Sequence, residues 1–241
     1  MKINYVVAFY ITDNSITIER NNLYHSLDKF YAVRYHIHSL NSFLMPDVSK
    51  VTFVVNKSQH VKEGEIEKII EDTYISRIPI EVKYRDNWGL SYGAWEYHIR
   101  DSINESYDYY FLNEDDYCVS DIMFYEPFYK KFKENVAFVC GLYDGHPAIS
   151  YKLISKTVCE NVLNTYGELF KTYNDRLVDL SYGYKGWQGY YHINFLNSKY
   201  DITDVSDIMP LVYRRNKTIT VFTNSTYDMK KPGYTTLVPL L

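Results

Sequence analysis

Tyr109-Tyr110-Phe111-Leu112-Asn113-Glu114-Asp115-Asp116 is the stretch whose reading decides the fold. Its aromatic and aliphatic first half reads as a strand covered on both faces, the kind found in sheets with parallel strands. Its second half delivers three adjacent carboxylates to the end of that strand. Adjacent carboxylates repel one another, and a hard divalent cation relieves the repulsion. Magnesium or manganese needs only one or two carboxylates and fills its shell with water and phosphate oxygens. Side chains alternate along an extended chain, so Glu114 and Asp116 share one face and Asp115 opposes them. Taken alone, the cluster also fits a solvated acidic turn or a cap for a helix after Ser120.

Outward from this stretch, strand-like and helix-like segments alternate. Tyr5 to Ile11 is a continuous apolar run and reads as the first buried strand; Asp13 to Asn22 is polar and reads as a loop. From Leu23 the apolar positions Leu27, Phe30, Val33, Ile37, Leu40 and Leu44 follow at three- and four-residue steps, predicting one amphipathic helix stopped at Pro46. Val51 to Val55 is a second strand, Ile66 to Tyr74 a helix, Ile80 to Tyr84 a third strand, and Tyr92 to Ile103 a helix. Beyond the acidic stretch a helix is expected around Phe124 to Phe132, strands at Val136 to Leu142 and Ile149 to Ile154, a helix capped by Ser155, and another from about Gly186 to Ser198. This alternation predicts a sheet with parallel strands and helices on both faces. In such sheets ligands sit beyond the carboxyl ends of the strands. Those ends are Tyr10-Ile11, Asn56, Arg85-Asp86-Asn87 and Asn113 to Asp116.

Composition narrows the partners. The chain has 241 residues and a formal net charge of -4, which argues against nucleic-acid binding through a general basic surface. The 27 tyrosines offer faces for stacking on bases or sugar rings, although abundance singles out none of them. Cys118, Cys140 and Cys159 are odd in number and widely spaced, so they predict neither a metal knot nor a disulfide framework, and a reducing compartment follows. The Tyr5 to Ile11 run is too short for a membrane span and lacks a basic lead. The expectation is a cytoplasmic protein with no integral membrane segment; the sequence sets no oligomeric state.

A second segment strengthens the first. Asp86-Asn87-Trp88-Gly89-Leu90-Ser91-Tyr92-Gly93-Ala94 lies between the third strand and a helix. Gly89 lets the backbone approach a ligand, and a helix opening near Ser91 offers free N–H groups to an anion. A plain glycine turn accounts for Gly89 and Gly93 equally well. Placement shortly before the acidic strand end is what makes the pair informative.

Together the two segments resemble the GT-A glycosyltransferases, particularly the family-2-like group. There an Asn-x-Gly-x-x-x-Ala-type turn precedes a helix, and the next strand ends in an Asp-x-Asp-type motif. Asn87-x-Gly89 with Gly93-Ala94 matches the first, and Leu112-Asn113-Glu114-Asp115-Asp116 resembles the second. The resemblance extends across roughly residues 3 to 200, with Ile154-Ser155-Lys156 to Tyr166-Gly167 similar to the acceptor-side segment.

The resemblance implies a GT-A fold: α/β, Rossmann-like, three-layer, with a mostly parallel central sheet and helices on both faces. It implies a single domain over residues 1–241, with about 1–117 binding the nucleotide sugar, about 118–205 on the acceptor side, and about 206–241 a C-terminal segment or flap. The implied reaction moves a sugar from a nucleoside-diphosphate donor to the hydroxyl of a glycan or other acceptor. A Mn2+ or Mg2+ ion would sit on the diphosphate, held by Asp116 and Glu114. Tyr10, Ile11, Asn56, Asp86, Asn87, Gly89, Glu114 and Asp115 are then the nucleotide-sugar residues. Trp187 and His146 fall on the acceptor side.

Two departures from the family pattern matter. Asn113 stands where the first Asp of Asp-x-Asp would be if Asp115 were the second, which favours Glu114-x-Asp116 as the metal side. The stretch comparable to the family's catalytic base reads Gly186-Trp187-Gln188-Gly189 and carries no carboxylate. Asp144, ending the fifth strand, becomes the candidate base; Asp-Gly is equally an ordinary turn pair. Asp175 and Asp179 are weaker candidates. His36, His38 and His98 read as surface or satisfied core residues. Arg214, Arg215 and Lys217 read as a solvated face or as cover for the diphosphate. The alternatives are another metal- and nucleotide-using α/β enzyme such as a nucleotidylyltransferase, or a non-catalytic carbohydrate-binding protein.

Overall fold

The computed structural model describes residues 1–12, 16–20, 23–115, 117–119, 122–143, 146–171, 193–198, 200–204 and 220–222. In chain order the elements of the first half are β1 (Ile3–Tyr10), β2 (Ile16–Arg20), β3 (Leu23–Leu27), α1 (Tyr31–Ser42), β4 (Val48–Asn56), α2 (Glu65–Thr73), β5 (Ile80–Arg85), α3 (Leu90–Ser102) and β6 (Tyr109–Glu114). The second half contributes β7 (Tyr117–Val119), α4 (Glu126–Tyr129), β8 (Val136–Tyr143), β9 (His146–Ser155), α5 (Lys156–Tyr166), α6 (Ile193–Asn197), β10 (Asp201–Asp204) and β11 (Thr220–Phe222).

A seven-stranded sheet in the order β10-β8-β9-β6-β1-β4-β5 forms the middle layer. Strands β6, β1, β4 and β5 are mutually parallel, and β9 runs antiparallel to both β6 and β8. The strict alternation of β1 builds two cores. Ile3, Tyr5, Val7 and Phe9 pack on one face with Val33 of α1, Ile66 of α2 and Phe128 of α4. Val6 and Ala8 pack on the other with Trp95 of α3, Val158 and Val162 of α5, and Phe195 of α6. Each fully buried side chain of this size contributes about 1.5–3 kcal/mol. The mostly parallel α/β sheet with helices on both faces is the architecture expected from the alternation of elements. Among the described residues no helix is long and apolar enough to cross a membrane.

Several expectations are corrected. The helix predicted from Leu23 starts only at Tyr31, and Leu23–Leu27 instead pairs antiparallel with Ile16–Arg20, inside the stretch read as a loop. A step of four residues is even, so Leu23 and Leu27 share a face of a strand as readily as of a helix. Asp28 makes the boundary: its carboxylate accepts from the Phe30 N–H at 2.8 Å and its carbonyl from the Tyr31 N–H at 3.1 Å. The helix expected over Phe124 to Phe132 is only Glu126–Tyr129. The one expected after Gly186 is described as Ile193–Asn197. Ser155 occupies the N-cap position of α5 but makes no side-chain cap bond. The short strand Tyr117–Val119 pairs parallel with Thr220–Phe222; three residues are too few for a sequence period to mark.

Candidate functional site

The expected strand ends lie along one edge of the sheet. Tyr10 of β1 pairs with Asn56 of β4 and Asn56 with Arg85 of β5, while on the other flank Ala8 of β1 pairs with Glu114 of β6. Tyr143, the last residue of β8, pairs with His146 at the start of β9 on the same edge. Tyr10 and Trp88 are 48% and 42% exposed, so the edge is an open surface. Ile11 is buried in the core on the α1 side, and its carbonyl accepts from the Ser58 hydroxyl at 2.7 Å.

The turn after β5 is built around Arg85, which the sequence places at a strand end without assigning it a role. Arg85 is buried; one terminal nitrogen donates to Asn56 Oδ1 and the other to the Trp88 carbonyl at 2.7 Å. Its guanidinium lies 4.4 Å from the centre of the Trp88 ring. Burial pulls its pKa down to about 10, opposed by Asp86, so it stays charged at neutral pH. Its Nε has no partner among the described residues. A signal was available: an arginine closing a strand immediately before Asp86-Asn87-Trp88.

Asp86 and Asn87 are exposed beside this cluster. Gly89, at φ +63°, takes the left-handed conformation that turns the chain into α3. The first turn of α3 has no side-chain cap, which leaves its N–H groups for an anion. Gly93 serves packing: a Cβ there would lie 2.1 Å from the Trp88 carbonyl oxygen.

At the acidic end, Glu114 is half-buried and faces α3, where the Ser91 hydroxyl donates to its Oε1 at 2.5 Å. Asp115 turns the other way, as alternation requires, and its Oδ2 accepts from the Tyr10 N–H at 3.0 Å. The Asp115 carbonyl accepts from His36 Nε2 at 3.2 Å. Burial pushes the pKa of His36 down to about 3, so the ring is neutral. With its proton on Nε2, its Nδ1 accepts from Tyr5 OH at 3.5 Å. Tyr5 OH in turn accepts from Asn113 Nδ2 at 2.8 Å, and Asn113 also donates to the Tyr117 carbonyl. Asn113 is wholly enclosed and serves the core, where an ionised Asp would be costly. His36 and His98 are buried core residues and His38 is exposed.

Among the described residues no three or more His, Cys, Asp or Glu side chains converge as a metal group. Glu114 and Asp115 turn to opposite sides, so of the two only Glu114, beside the opening of α3, offers a hard oxygen donor there, which suits magnesium or manganese bound mainly through phosphate and water. Asp116, Asp144, Asp175, Asp179, Trp187, Arg214, Arg215 and Lys217 lie outside the described residues, and of His146 only the backbone position is described. Two cavities of about 600 and 460 Å³ open at the opposite edge, around Tyr109, Tyr129, Ser155 and Thr157, and take in none of the candidate residues.

No family model matches the sequence, and no curated protein matches it. Among solved structures the chain is similar to a crystal structure of residues 1–349 of TarS from S. aureus, with 10% sequence identity and a TM-score of 0.46. The match covers 92% of this chain and 60% of that one, so the chain spans less than two thirds of its length. A match at that level fixes neither substrate nor reaction.

Proposed function

We propose that the chain is a glycosyltransferase that moves a sugar from a nucleoside-diphosphate sugar to an acceptor hydroxyl, probing its donor with the strand-end surface of β1, β4, β5 and β6. The observation that supports this reading best is the Ser91–Glu114 hydrogen bond. It ties the opening of α3, suited to phosphate, to the carboxylates suited to a cation. Tyr10, Asn56, Asp86 and Asn87 line the nucleoside side, and the backbone at Gly89 gives the diphosphate a close approach. Ile11 contributes through its backbone. Arg85 holds that side in shape through Asn56 and Trp88.

Asp116 and Glu114, with Asp115 beside them, would hold magnesium or manganese. When bound, that ion supplies neutralisation of the charge that builds on the leaving diphosphate. Asp144 is the proposed base. It takes the proton of the acceptor hydroxyl as the new bond to the anomeric carbon forms and the bond from that carbon to the phosphate oxygen breaks. Trp187 and His146 would orient the acceptor.

Calorimetry with UDP- and GDP-sugars, with and without manganese, tests the reading. Metal-dependent donor binding that disappears in Asp116→Ala is the expected result. Failure to bind any nucleotide would sink it. Binding without even slow donor hydrolysis would favour a non-catalytic carbohydrate-binding protein.

A further inference from the structure

Lys152, in the middle of β9, is wholly enclosed. Its ammonium lies 4.6 Å from the centre of the Trp95 ring, 4.7 Å from Tyr92, 5.3 Å from Phe138 and 5.4 Å from Phe170. Rings from α3, from β8 and from the segment after α5 thus surround one positive charge. Enclosing an ammonium is costly, and the ring faces return part of that cost. Burial pulls its pKa down to about 7, with Cys140 on β8 and Glu114 on β6 acting to raise it.

The sheet register shows what the charge lies near. Lys152 pairs with Leu112 across the antiparallel β6–β9 ladder. Side chains alternate, so Glu114 is the next residue of β6 on that face, about 7 Å further along. Ser91 holds its carboxylate on that side. Charges set one behind the other on a partly buried sheet face are screened less than charges in open water, and Glu114 acts on Lys152 electrostatically.

We infer that Lys152 is a positioning residue: a buried positive charge behind Glu114 that favours a diphosphate at the end of β6 and weakens that end's hold on a bare divalent cation. The choice of ligands rests on the glycosyltransferase reading; the charge coupling between Lys152 and Glu114 does not.

The test uses Mn2+ alone and UDP alone as probes, titrated at pH 6, where Lys152 is charged, into the wild-type chain, Lys152→Met and Lys152→Arg. The Met variant is expected to bind Mn2+ more tightly and metal-free UDP more weakly, each by several-fold and up to about tenfold. The Arg variant restores both. A residue that merely packs would shift both affinities in the same direction, and that outcome overturns the inference. Lys152→Gln replaces the Met variant if the latter does not fold. If the wild-type chain binds neither probe, the glycosyltransferase reading falls. The coupling is then read from urea stabilities of Lys152→Met, Glu114→Gln and the double variant: non-additive effects support it, and additive ones overturn it.

Discussion

The Ser91 hydroxyl donates to Glu114 Oε1 at 2.5 Å and so joins the first turn of α3 to the end of β6. This bond orients a carboxylate that would otherwise sample several rotamers above the sheet edge. Ser91→Ala is expected to cost about 1.5–3 kcal/mol of stability, as for a hydrogen bond to a charged group. It should also weaken manganese-dependent binding of a nucleotide sugar. Glu114→Gln should weaken that binding more while leaving the fold intact. Calorimetry alongside urea unfolding of both variants checks the pair, and unchanged donor binding in both would remove Glu114 from the site.

Gly93→Ala should destabilise the protein. In an ordinary helix interior the change is favourable by about 1 kcal/mol. Here the new Cβ would lie 2.1 Å from the Trp88 carbonyl oxygen and 3.0 Å from an Arg85 nitrogen. Because the nearest atom is backbone, the turn before α3 must move. An overall loss of about 1–3 kcal/mol is expected, read as a lower urea midpoint, together with a change in Trp88 fluorescence.

Two neutral histidines make the fold acid-sensitive. Burial lowers His36 and His98 to a pKa of about 3, whereas the unfolded chain takes up those protons near the ordinary value of 6.5. Above that value the two residues place no pH dependence on stability. As pH falls below it, the unfolded state binds more protons, and stability drops by about 1.4 kcal/mol per pH unit for each histidine until the folded pKa is reached. Urea unfolding between pH 6.5 and 4 should show this slope, and His36→Gln should reduce it by the equivalent of one proton.

Lys152 acts in the alkaline direction. Its folded pKa is lowered to about 7 from 10.5, so between those values the unfolded chain holds a proton that the folded chain has released. Stability should therefore rise with pH from 7 to 9, by up to about 1.4 kcal/mol per unit. Below pH 7 the lysine is charged in both states and adds no slope. Lys152→Met should abolish the rise. Equal slopes in the two proteins would show that the cage holds an ammonium of ordinary basicity.

Much of this was legible from residue patterns. The run Tyr109 to Leu112 names its own burial, and alternation from Leu112 places Glu114 and Asp115 on opposite sides, as the bonds to Ser91 and to the Tyr10 N–H show. Leu23 and Leu27 are ambiguous because a four-residue step fits helix and strand alike. The roles of Arg85 and Lys152 are not legible because a lone cation in a strand-like segment looks like a solvated edge residue until its neighbours are known.

The sequence by itself determined the alternation of the sheet's strands with the main helices, the two-sided burial of β1, β4 and β6, and the presence of carboxylates at a strand end. All of these are set by local periodicity and by which residues tolerate water. Tertiary structure alone decided that Asn113 serves the core, that His36 is neutral beneath Asp115, that Gly93 is held to glycine by the Trp88 carbonyl, and that Lys152 lies within four aromatic rings. Those facts depend on groups far apart in the chain and on the low dielectric they create together, which no window of sequence contains.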